Sequence, residues 1–378
     1  AALLPPNAFV VQGEIQRVTM VTDSIGAGSL FGGVGTAIIL ATLLARRLNA
    51  NLRLMTRTEA PQPDNFLKVL QVHGIPWDKD IEFLHVPPND NVELPIGDRE
   101  IILTTSWWTT QCMRPLVRSG HLVYLLQEDE RMFYPFGDDR LRCREVLADP
   151  DIHFVLNTRL LFEHLTKDAD PYANIAANGT WFEPAFPAFS RNLSARRQGD
   201  KKQFFFYARP YNARNLYWRG LETIGAAIEQ NILDPDEWDF NFVGKDLTPL
   251  ELPRGVKPRL VQNLPWSDYI DLVKWMDVGL CLMDTPHPSY PPLVLAAAGA
   301  IAVTNRHGRK TSLSMYSDGI ICVDPTVEDL CRGLSEAVAR ADDYVRRATD
   351  LKNDHIARNW AETMNSTLDW LSNRLGGI

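Results

Sequence analysis

The sequence predicts an α/β protein built from two Rossmann-like units, each with a parallel sheet covered by helices. Short β-branched runs alternate with helical stretches along the 378 residues, and such alternation is typical of parallel sheets with helices on both faces. The alternation is interrupted over 184–203 by a stretch with proline, serine and basic residues but no hydrophobic periodicity. The length also favours more than one domain, since a domain typically has about 100–200 residues.

The strands predicted in the first half are short and largely apolar, as buried strands of a parallel sheet are. The first of them is followed by a glycine-rich turn, Ile25–Gly35, and by an apolar-periodic helix, Val34–Arg47. This helix ends in two arginines, where cations suit the negative helix terminus. The strands expected in this half are Arg17–Thr22, Asn51–Met55, Ile101–Thr104, His121–Leu126 and His153–Leu156.

A second alternating series follows the irregular stretch. Its predicted strands are Gln203–Tyr207, Asp239–Val243, Val278–Met283 and Ala300–Thr304. Its predicted helices are Leu216–Gln230, Ser267–Trp275, Leu293–Gly299 and Val327–Arg340, with a mostly helical stretch over Ala341–Leu375. The end of the chain carries an apolar stripe at helical spacing, which must be buried; it consists of Ile356, Trp360, Met364, Leu368 and Leu371.

These patterns divide the chain into four parts. We expect an N-terminal domain over 1–185, a linker over 186–202, a C-terminal domain over 203–350 and a final helical segment over 351–378. Two α/β units joined by a linker leave a cleft between them, and ligands of open α/β sheets bind beyond the carboxyl ends of the strands. Such a cleft suits two substrates and therefore a group transfer.

Composition argues against several classes of protein. Lys and Arg total 39 against 47 Asp and Glu, a net charge of −8, so a nucleic-acid-binding protein is not indicated. The five cysteines are widely spaced, which disfavours a disulfide scaffold and a structural zinc site and favours a reducing compartment. The longest apolar runs are shorter than the roughly 18 residues of a membrane span. The first residues do not resemble a signal peptide, and peripheral contact with a membrane is left open.

A glycine cluster lies between the first strand and the first helix; it consists of Gly26, Gly28, Gly32, Gly33 and Gly35. As a dinucleotide-binding fingerprint it is imperfect, because Phe31 breaks the GxGxxG spacing. Two alternatives stay open. The loop either needs a permissive backbone or presents amides at a helix N-terminus to a substrate hydroxyl or phosphate.

Two loops in the second half carry groups suited to an anion. Arg209 and Arg214 lie five residues apart after a predicted strand, and two guanidiniums there can clamp a diphosphate. The segment Pro286–Leu293 has four prolines and opens a helix, so the amides of Ser289 and Tyr290 would face an anion, with Ser289 as a cap. The alternatives are a pair of surface arginines and a purely structural proline-rich turn.

A run of acidic residues, Glu128, Asp129 and Glu130, follows the predicted strand that ends at Leu126. Asp129 is a candidate catalytic residue, because a carboxylate beyond a strand end can accept a hydrogen bond from an attacking hydroxyl. Solvated loop acids are the alternative. The histidines His121, His153 and His164 have no paired ligand spacing and are interpreted as structural.

Together these segments resemble family 4 glycosyltransferases of the two-domain GT-B architecture, and within them WsaF-type rhamnosyltransferases of bacterial surface-glycan assembly. The resemblance covers most of the chain. It rests on FGG (Phe31–Gly33), YLLQEDERMFYP (Tyr124–Pro135), FYARPYNARN (Phe206–Asn215), PHPSYPPL (Pro286–Leu293) and Thr304–Asn305. The resemblance implies two Rossmann-like domains with parallel sheets facing a central cleft, and a final helix that crosses back to the N-terminal domain.

The resemblance also implies a role for each segment. Arg209 and Arg214 correspond to the Arg and Lys that bind the diphosphate in the family. Contacts with the nucleoside or sugar of the sugar donor are implied for Gly244, Lys245, Leu264, Pro265, Pro288 and Pro291. The acceptor is then left to the N-terminal half, at Gly32, Gly33, Glu128 and Glu130, because glycines let a sugar approach the backbone.

The sequence departs from the family at two glutamates, whose places are taken by Pro286 and Val294. In the family the second glutamate generally binds ribose hydroxyls, so its loss is compatible with a deoxyribose nucleotide such as dTDP. The first faces the sugar, and either Asp284 or His287 is expected to substitute for it; His287 is therefore a second candidate catalytic residue.

The reaction implied is transfer of a deoxyhexose, L-rhamnose from dTDP-L-rhamnose, to a hydroxyl of a glycan or lipid-linked glycan, with retention, without a metal and without a cofactor. A metal is also unnecessary on physical grounds, since arginines and helix N-termini can neutralise a leaving diphosphate. Alternatives are a GT-B sugar-nucleotide epimerase and an inactive carbohydrate-binding subunit. The location expected is cytoplasmic, with the inner face of the cell membrane left open.

Overall fold

Two parallel sheets, one in each of two structural units, organise the fold of the computed structural model. The structure describes residues 2–13, 16–27, 30, 32–168, 170–189, 193 and 200–376. Residues 1–184 and 359–378 make up the first unit, and residues 185–358 the second. The first unit therefore contains both ends of the chain.

The first unit is built on a seven-stranded parallel sheet, counted over the described residues, with the order β4-β3-β2-β6-β7-β8-β9. Its strands are β2 (Arg17–Thr22), β3 (Asn51–Thr56), β4 (Ile81–His85), β6 (Glu100–Thr104), β7 (Leu122–Leu126), β8 (Ile152–Asn157) and β9 (Gly179–Phe182). The central strands are buried along their length because helices cover both faces. A separate two-stranded parallel sheet pairs β1 (Asn7–Val11) with β5 (Glu93–Gly97).

The helices of the first unit come from both chain ends. They are α1 (Gly33–Arg47), α2 (Pro63–Val72), α3 (Trp107–Met113), α4 (Asp138–Leu147), α5 (Arg159–Lys167), α6 (Ala173–Ala177), α12 (Trp360–Thr363) and α13 (Asn365–Leu375). Helix α13 packs on α1 and β9, and Arg47 of α1 forms an ion pair with Asp369. Thr367 donates a hydrogen bond of 3.0 Å to the Trp181 carbonyl. The predicted stripe residues Trp360, Met364, Leu368 and Leu371 are all buried.

The second unit has a six-stranded parallel sheet within the described part of the chain, with the order β12-β11-β10-β13-β14-β15. Its strands are β10 (Lys202–Ala208), β11 (Trp238–Gly244), β12 (Arg259–Gln262), β13 (Val278–Leu280), β14 (Ile301–Asn305) and β15 (Ile320–Val323). Its helices are α7 (Tyr217–Glu229), α8 (Trp266–Val273), α9 (Tyr290–Ala297), α10 (Val327–Ala341) and α11 (Tyr344–Lys352). One core face contains Phe204, Phe206, Phe242, Trp238 and the inner side of α7 and α10.

The predicted fold class is confirmed, and the missed strands of the two large sheets are their edge strands. The predictions missed β4, β9, β12 and β15, which are the outer strands of the two sheets. Edge strands bury less apolar surface, so their hydrophobic pattern is weak; β4 has no fully buried residue. The strand predicted over Val278–Met283 ends at Leu280. Over the described residues, no helix is both long and apolar enough to cross a membrane.

Candidate functional site

The candidate site of the second unit lies where its strand order reverses. The chain runs outward from β10 to β11 and β12 on one side, and continues through β13 and β14 on the other. The chain therefore leaves the carboxyl ends of β10 and β13 toward opposite edges of the sheet. Open α/β sheets bind ligands at such a switch point. The arginine loop follows β10, and the proline-rich loop follows β13.

Hydrogen bonds join these two loops. The amide of Asp284 donates a hydrogen bond of 2.7 Å to the Arg214 carbonyl. The side chain of Asn215, which is buried, donates to the Leu282 carbonyl over 3.1 Å. Arg209 is half-buried and donates to the Tyr207 hydroxyl over 3.1 Å. Two segments that the sequence separates by about seventy residues are thus hydrogen-bonded to each other, and one of them carries both arginines.

A third loop, after β14, holds the proline-rich loop in place. Lys310 is fully buried, and its Nζ donates to the carbonyls of Met283 over 2.6 Å and His287 over 3.1 Å. The side chain of Asn305 accepts a hydrogen bond from the Met283 amide and donates one to the Met283 carbonyl. The sequence reasoning singled out Asn305 as part of a motif but missed Lys310, because nothing local marks a lysine as buried.

His287 is a buried and neutral imidazole at this site. Only 6% of the residue is exposed, and its Nδ1 accepts a hydrogen bond of 2.9 Å from the Ser289 amide. Burial lowers the pKa of His287 to about 3, helped by the positive charges of Lys310 and Arg214. With Nδ1 as acceptor the proton lies on Nε2, and no described residue accepts a hydrogen bond from it. The imidazole therefore holds a buried donor, Nε2–H, that is unpaired within the described part of the chain.

The same hydrogen bond corrects the expectation for Ser289. Its amide donates to His287 and so does not face an anion, and its side chain forms no capping hydrogen bond at the start of α9. Ser289 has a φ of 71°, in the left-handed region that favours glycine. Tyr290 is half-buried and packs edge-on against Phe186 at a centroid distance of 5.4 Å.

Asp284, one of two predicted substitutes for the missing glutamate, pairs with a histidine that the sequence reasoning missed. Its Oδ1 lies 2.9 Å from Nδ1 of His307, and this hydrogen bond lowers the pKa of the Asp284 carboxyl. Both residues are partly exposed. The arrangement places a carboxylate and an imidazole beside the arginine loop.

The residues expected to contact the nucleoside differ in burial. Gly244 ends β11, and a Cβ there would lie 1.7 Å from the Ala208 carbonyl oxygen, so only glycine fits between β10 and β11. Lys245 and Pro265 are exposed and Leu264 is half-buried, whereas Pro288 and Pro291 are buried. Val294 is buried in α9 as well. Gly244 is the last residue of β11, Pro291 lies in the first turn of α9, and the other four predicted contact residues lie in loops after strands of the second sheet.

In the first unit the start of α1, which follows the glycine loop, is hydrogen-bonded to the first residue after β7. Gln127 donates a hydrogen bond of 2.7 Å to the Gly33 carbonyl, and Asn157 donates one of 3.0 Å to Gln127. Apart from its own chain neighbours, no described residue lies within 4 Å of the position that a Cβ on Gly32 would take. Phe31 and Gly28 lie outside the described residues.

The acidic run is buried, which contradicts both expectations for it. Glu128, Asp129 and Glu130 are 7%, 3% and 5% exposed, so they are neither solvated loop acids nor open to a sugar. Glu130 accepts a hydrogen bond of 2.7 Å from the Trp107 amide at the start of α3, and Glu128 accepts one from the Asp129 amide. Both carboxylates satisfy backbone donors, as buried acids must.

The expectation that Asp129 is catalytic is corrected most clearly, because both of its carboxylate oxygens already accept hydrogen bonds. Oδ1 accepts hydrogen bonds from the amide and Nε of Arg131, and Oδ2 accepts from Nη2 of Arg131 and from Nε2 of His164. Burial alone would raise its pKa, but the hydrogen bonds from His164 and Arg131 outweigh burial and hold the pKa well below its usual range. Asp129 is therefore a weak base and part of a buried ion pair.

A different carboxylate, Asp23, which the sequence reasoning missed, lies at the strand-order reversal of the first sheet. It follows β2 directly and is partly exposed. Nε1 of Trp108 donates a hydrogen bond of 2.8 Å to Oδ2 of Asp23. Burial raises the pKa of Asp23, opposed by the hydrogen bond from Trp108 and the charge of Arg57.

Two family models match the chain, one in each structural unit. The family models described as WsaF, N-terminal domain, and WsaF, C-terminal domain, match residues 17–151 and 202–335. The O-antigen biosynthesis protein RfbC of Myxococcus xanthus is 28% identical over 294 residues, which is 76% of this chain and 22% of that protein. The chain thus spans less than a quarter of the length of this curated relative.

Solved structures show the same fold. Anabaena HepE in complex with UDP-glucose superposes with a TM-score of 0.60 and 12% identity over 96% of this chain and 100% of that one. The sucrose-phosphate synthase of Thermosynechococcus elongatus gives 0.59 and 12% over 96% and 100%. A trehalose-phosphate synthase of Burkholderia xenovorans gives 0.59 and 12% over 94% and 100%. These likenesses establish the GT-B fold.

Proposed function

Because the chain belongs to the WsaF family and has the GT-B fold, we propose that it is a glycosyltransferase of polysaccharide biosynthesis. In this proposal it moves L-rhamnose from dTDP-L-rhamnose to a sugar hydroxyl of a surface polysaccharide or lipid-linked glycan. The printed name of the Myxococcus relative, an O-antigen biosynthesis protein, supports a surface glycan as the product. Activity at the inner face of the cell membrane belongs to the same proposal.

One observation carries the proposal: two arginines and a neutral histidine share the switch point of the second sheet. Arg209 and Arg214 lie on the loop after β10, which is hydrogen-bonded to the loop that carries His287. Guanidiniums bind a diphosphate through charge-assisted, often bidentate hydrogen bonds. We therefore assign the diphosphate of the sugar donor to this surface.

The chemistry needed from the protein is stabilisation of a leaving diphosphate. Arg209 and Arg214 supply fixed positive charge where negative charge develops, which lowers the barrier most in a site that is preorganised. Lys310 and Asn305 hold the His287 loop. The buried Nε2–H of His287 would donate to a phosphate or sugar oxygen that reaches it. These groups support metal-independent transfer, and retention requires no protein nucleophile if the leaving phosphate assists deprotonation of the acceptor.

The preference for a thymidine nucleotide rests on Val294. An aliphatic side chain stands where family 4 enzymes use a glutamate for ribose hydroxyls, and Val294 is buried without a polar atom to offer. A deoxyribose lacks one of those hydroxyls and loses less from this change. Asp284, paired with His307, is the carboxylate we assign to the sugar.

The proposal is tested by incubating the full chain with dTDP-L-rhamnose and an acceptor ending in rhamnose, with UDP-glucose and GDP-mannose as alternative sugar donors. Formation of a new glycosidic bond with dTDP-L-rhamnose, in EDTA as well as in buffer, is the expected result. The anomeric configuration of the product, read by NMR, tests retention. Rearranged nucleotide sugar without transfer would identify an epimerase, and binding without either reaction would identify a carbohydrate-binding subunit.

A further inference from the structure

We propose that Asp23 and Trp108 form the binding site for the acceptor sugar in the first unit, with Asp23 accepting a hydrogen bond from a sugar hydroxyl. The inference rests on the proposed function, because only a transferase has an acceptor. It assigns the acceptor to residues other than the acidic run, whose carboxylates are already occupied.

The location favours this pair. In the first sheet the order β4-β3-β2-β6-β7 reverses between β2 and β6. Asp23 is the first residue after β2, and Trp108 lies in the first turn of α3, which follows β6. The pair therefore lies at the switch point, where open α/β sheets bind their ligands. Asp129 follows β7, which is one strand further out.

The geometry leaves half of the Asp23 carboxylate available. Oδ2 accepts the 2.8 Å hydrogen bond from the indole of Trp108. Among the described residues none donates a hydrogen bond to Oδ1, and both side chains keep part of their surface exposed. Arg57, whose charge acts on Asp23, is buried, and its two Nη atoms donate to the carbonyls of Val86 and Leu4. Arg57 contributes charge to Asp23 without occupying it.

The backbone around Asp23 is fixed, so the carboxylate is preorganised. The Asp23 carbonyl accepts a hydrogen bond of 2.9 Å from the Thr58 amide, in the loop after β3. Thr105, after β6, donates to the Val21 carbonyl over 3.1 Å. Hydrogen bonds from the segments after both neighbouring strands hold the loop, and a rigid support is what a binding group requires.

The chemistry of the pair selects a neutral, hydroxyl-rich ligand. A carboxylate accepts hydrogen bonds from hydroxyls and repels phosphates, so the pair cannot serve the diphosphate. The indole ring adds a flat apolar surface with a negative face, against which the C–H groups of a pyranose can pack. An acid fixed by an aromatic side chain that is itself partly exposed is therefore suited to a sugar ring.

The test uses the indole N–H signal of Trp108 in the ¹⁵N-labelled full chain, assigned with Trp108→Phe. The chain is saturated with dTDP and titrated with methyl α-L-rhamnoside and, separately, with the methyl glycosides of mannose, glucose and galactose. We expect at least one glycoside to shift the Trp108 signal saturably while the signal of Trp181, a partly exposed tryptophan of the same unit, stays unchanged. Asp23→Asn should weaken that binding at least tenfold, and Asp64→Asn, which removes an exposed carboxylate of the same unit, should not.

The outcomes separate this inference from the proposed function. If no glycoside moves the Trp108 signal, or if a folded Asp23→Asn variant binds as tightly as the wild type, the acceptor site is not here. In activity assays Asp23→Asn should raise the KM for the acceptor at least tenfold while leaving the affinity for dTDP unchanged. Failure of the wild type to bind any nucleotide sugar would instead overturn the transferase, whether or not Trp108 responds.

Discussion

A carboxylate that accepts hydrogen bonds on both oxygens has little basicity left, and Asp129 is such a group. Asp129→Asn removes the main ion-pair partner of the buried Arg131 and leaves it, among the described residues, only the longer pair with Asp170. Breaking a buried ion pair costs about 3–5 kcal/mol of folding free energy. We expect a large drop in melting temperature at pH 7, checked by calorimetry. Asp64→Asn should change the melting temperature little, because its carboxylate is exposed.

The pH dependence of that loss has a defined sign. Because the pKa of Asp129 is lower in the folded chain than its ordinary value, its ionised form stabilises the fold above about pH 4, and this contribution disappears as the pH falls further. The difference in stability between wild type and Asp129→Asn should therefore shrink below about pH 4. A constant difference from pH 7 to pH 3 would contradict the assignment.

His287 also lowers the stability of the fold as the pH falls, but it does so at higher pH than Asp129. Its pKa falls from about 6.5 when unfolded to about 3 in the folded chain, so the unfolded state binds one more proton between these values. This single group lowers stability by about 1.4 kcal/mol for each pH unit below about 6.5. We expect His287→Gln to lose less stability than the wild type between pH 6.5 and pH 4.5, measured by urea unfolding. Parallel curves for the two proteins would show that His287 is not buried as a neutral base.

Arg209 and Arg214 carry the prediction for the sugar donor. Removing one partner of a charge-assisted hydrogen bond costs about 1.5–3 kcal/mol, so Arg209→Ala and Arg214→Ala should each weaken dTDP binding by more than tenfold in calorimetric titrations. Arg254, an exposed arginine of the same unit that bonds to Asn231, supplies the matched control, Arg254→Ala. Unchanged affinity in both variants would show that the diphosphate does not bind at this loop.

Among the elements, the loops after β10, β13 and β14 form one hydrogen-bonded assembly. The arginine loop is joined to the proline-rich loop by the Asp284 amide, and Lys310 and Asn305 join the proline-rich loop to β14. Each loop alone has few local contacts that would determine its conformation. The rigidity of the site is therefore a property of three loops together.

Lys310→Met tests this assembly. Methionine keeps an apolar stem of similar length but cannot donate to the Met283 and His287 carbonyls, so the loop loses two buried hydrogen bonds. We expect faster hydrogen exchange over 283–293 in the ligand-free chain, measured by mass spectrometry, with exchange in β10 and β11 unchanged. Lys274→Met, at a partly exposed lysine of the same unit, is the control. Equal protection in wild type and Lys310→Met would mean that the lysine does not hold the loop.

For the whole molecule, the chain returns to the unit in which it began. Helix α13 packs on α1 and β9 of the first unit, although more than 300 residues separate α1 from α13. The first unit is therefore built from two segments that are far apart in the sequence.

Leu371→Ala measures the contribution of this return. Leu371 is fully buried in α13, and deleting a buried leucine side chain costs about 2–5 kcal/mol. We expect hydrogen exchange to rise in the strands of the first unit while the strands of the second unit keep their protection. Asn373→Ala, on the exposed side of the same helix, should have no such effect. A rise confined to residues 185–358 would contradict the packing.

The predictions from sequence succeeded where a feature of the structure depends on a local pattern in the chain. Alternating β-branched runs and periodic helices identified the two parallel sheets, because hydrophobic periodicity reflects which face of each element is buried. The arginine and proline-rich loops were found as well, since each directly follows a strand. Asp23 follows a strand too, but a lone aspartate carries no pattern that distinguishes it.

Tertiary structure decided which of these loops become neighbours and which polar groups are buried. The acids at 128–130 look like a solvated loop in sequence, yet Arg131, His164 and the start of α3 enclose them. The Ser289 amide donates to His287, and Lys310 comes from the loop after β14. Strand order and burial depend on contacts between distant segments, so the neighbours that set the charge and basicity of each side chain are absent from any local stretch of the chain.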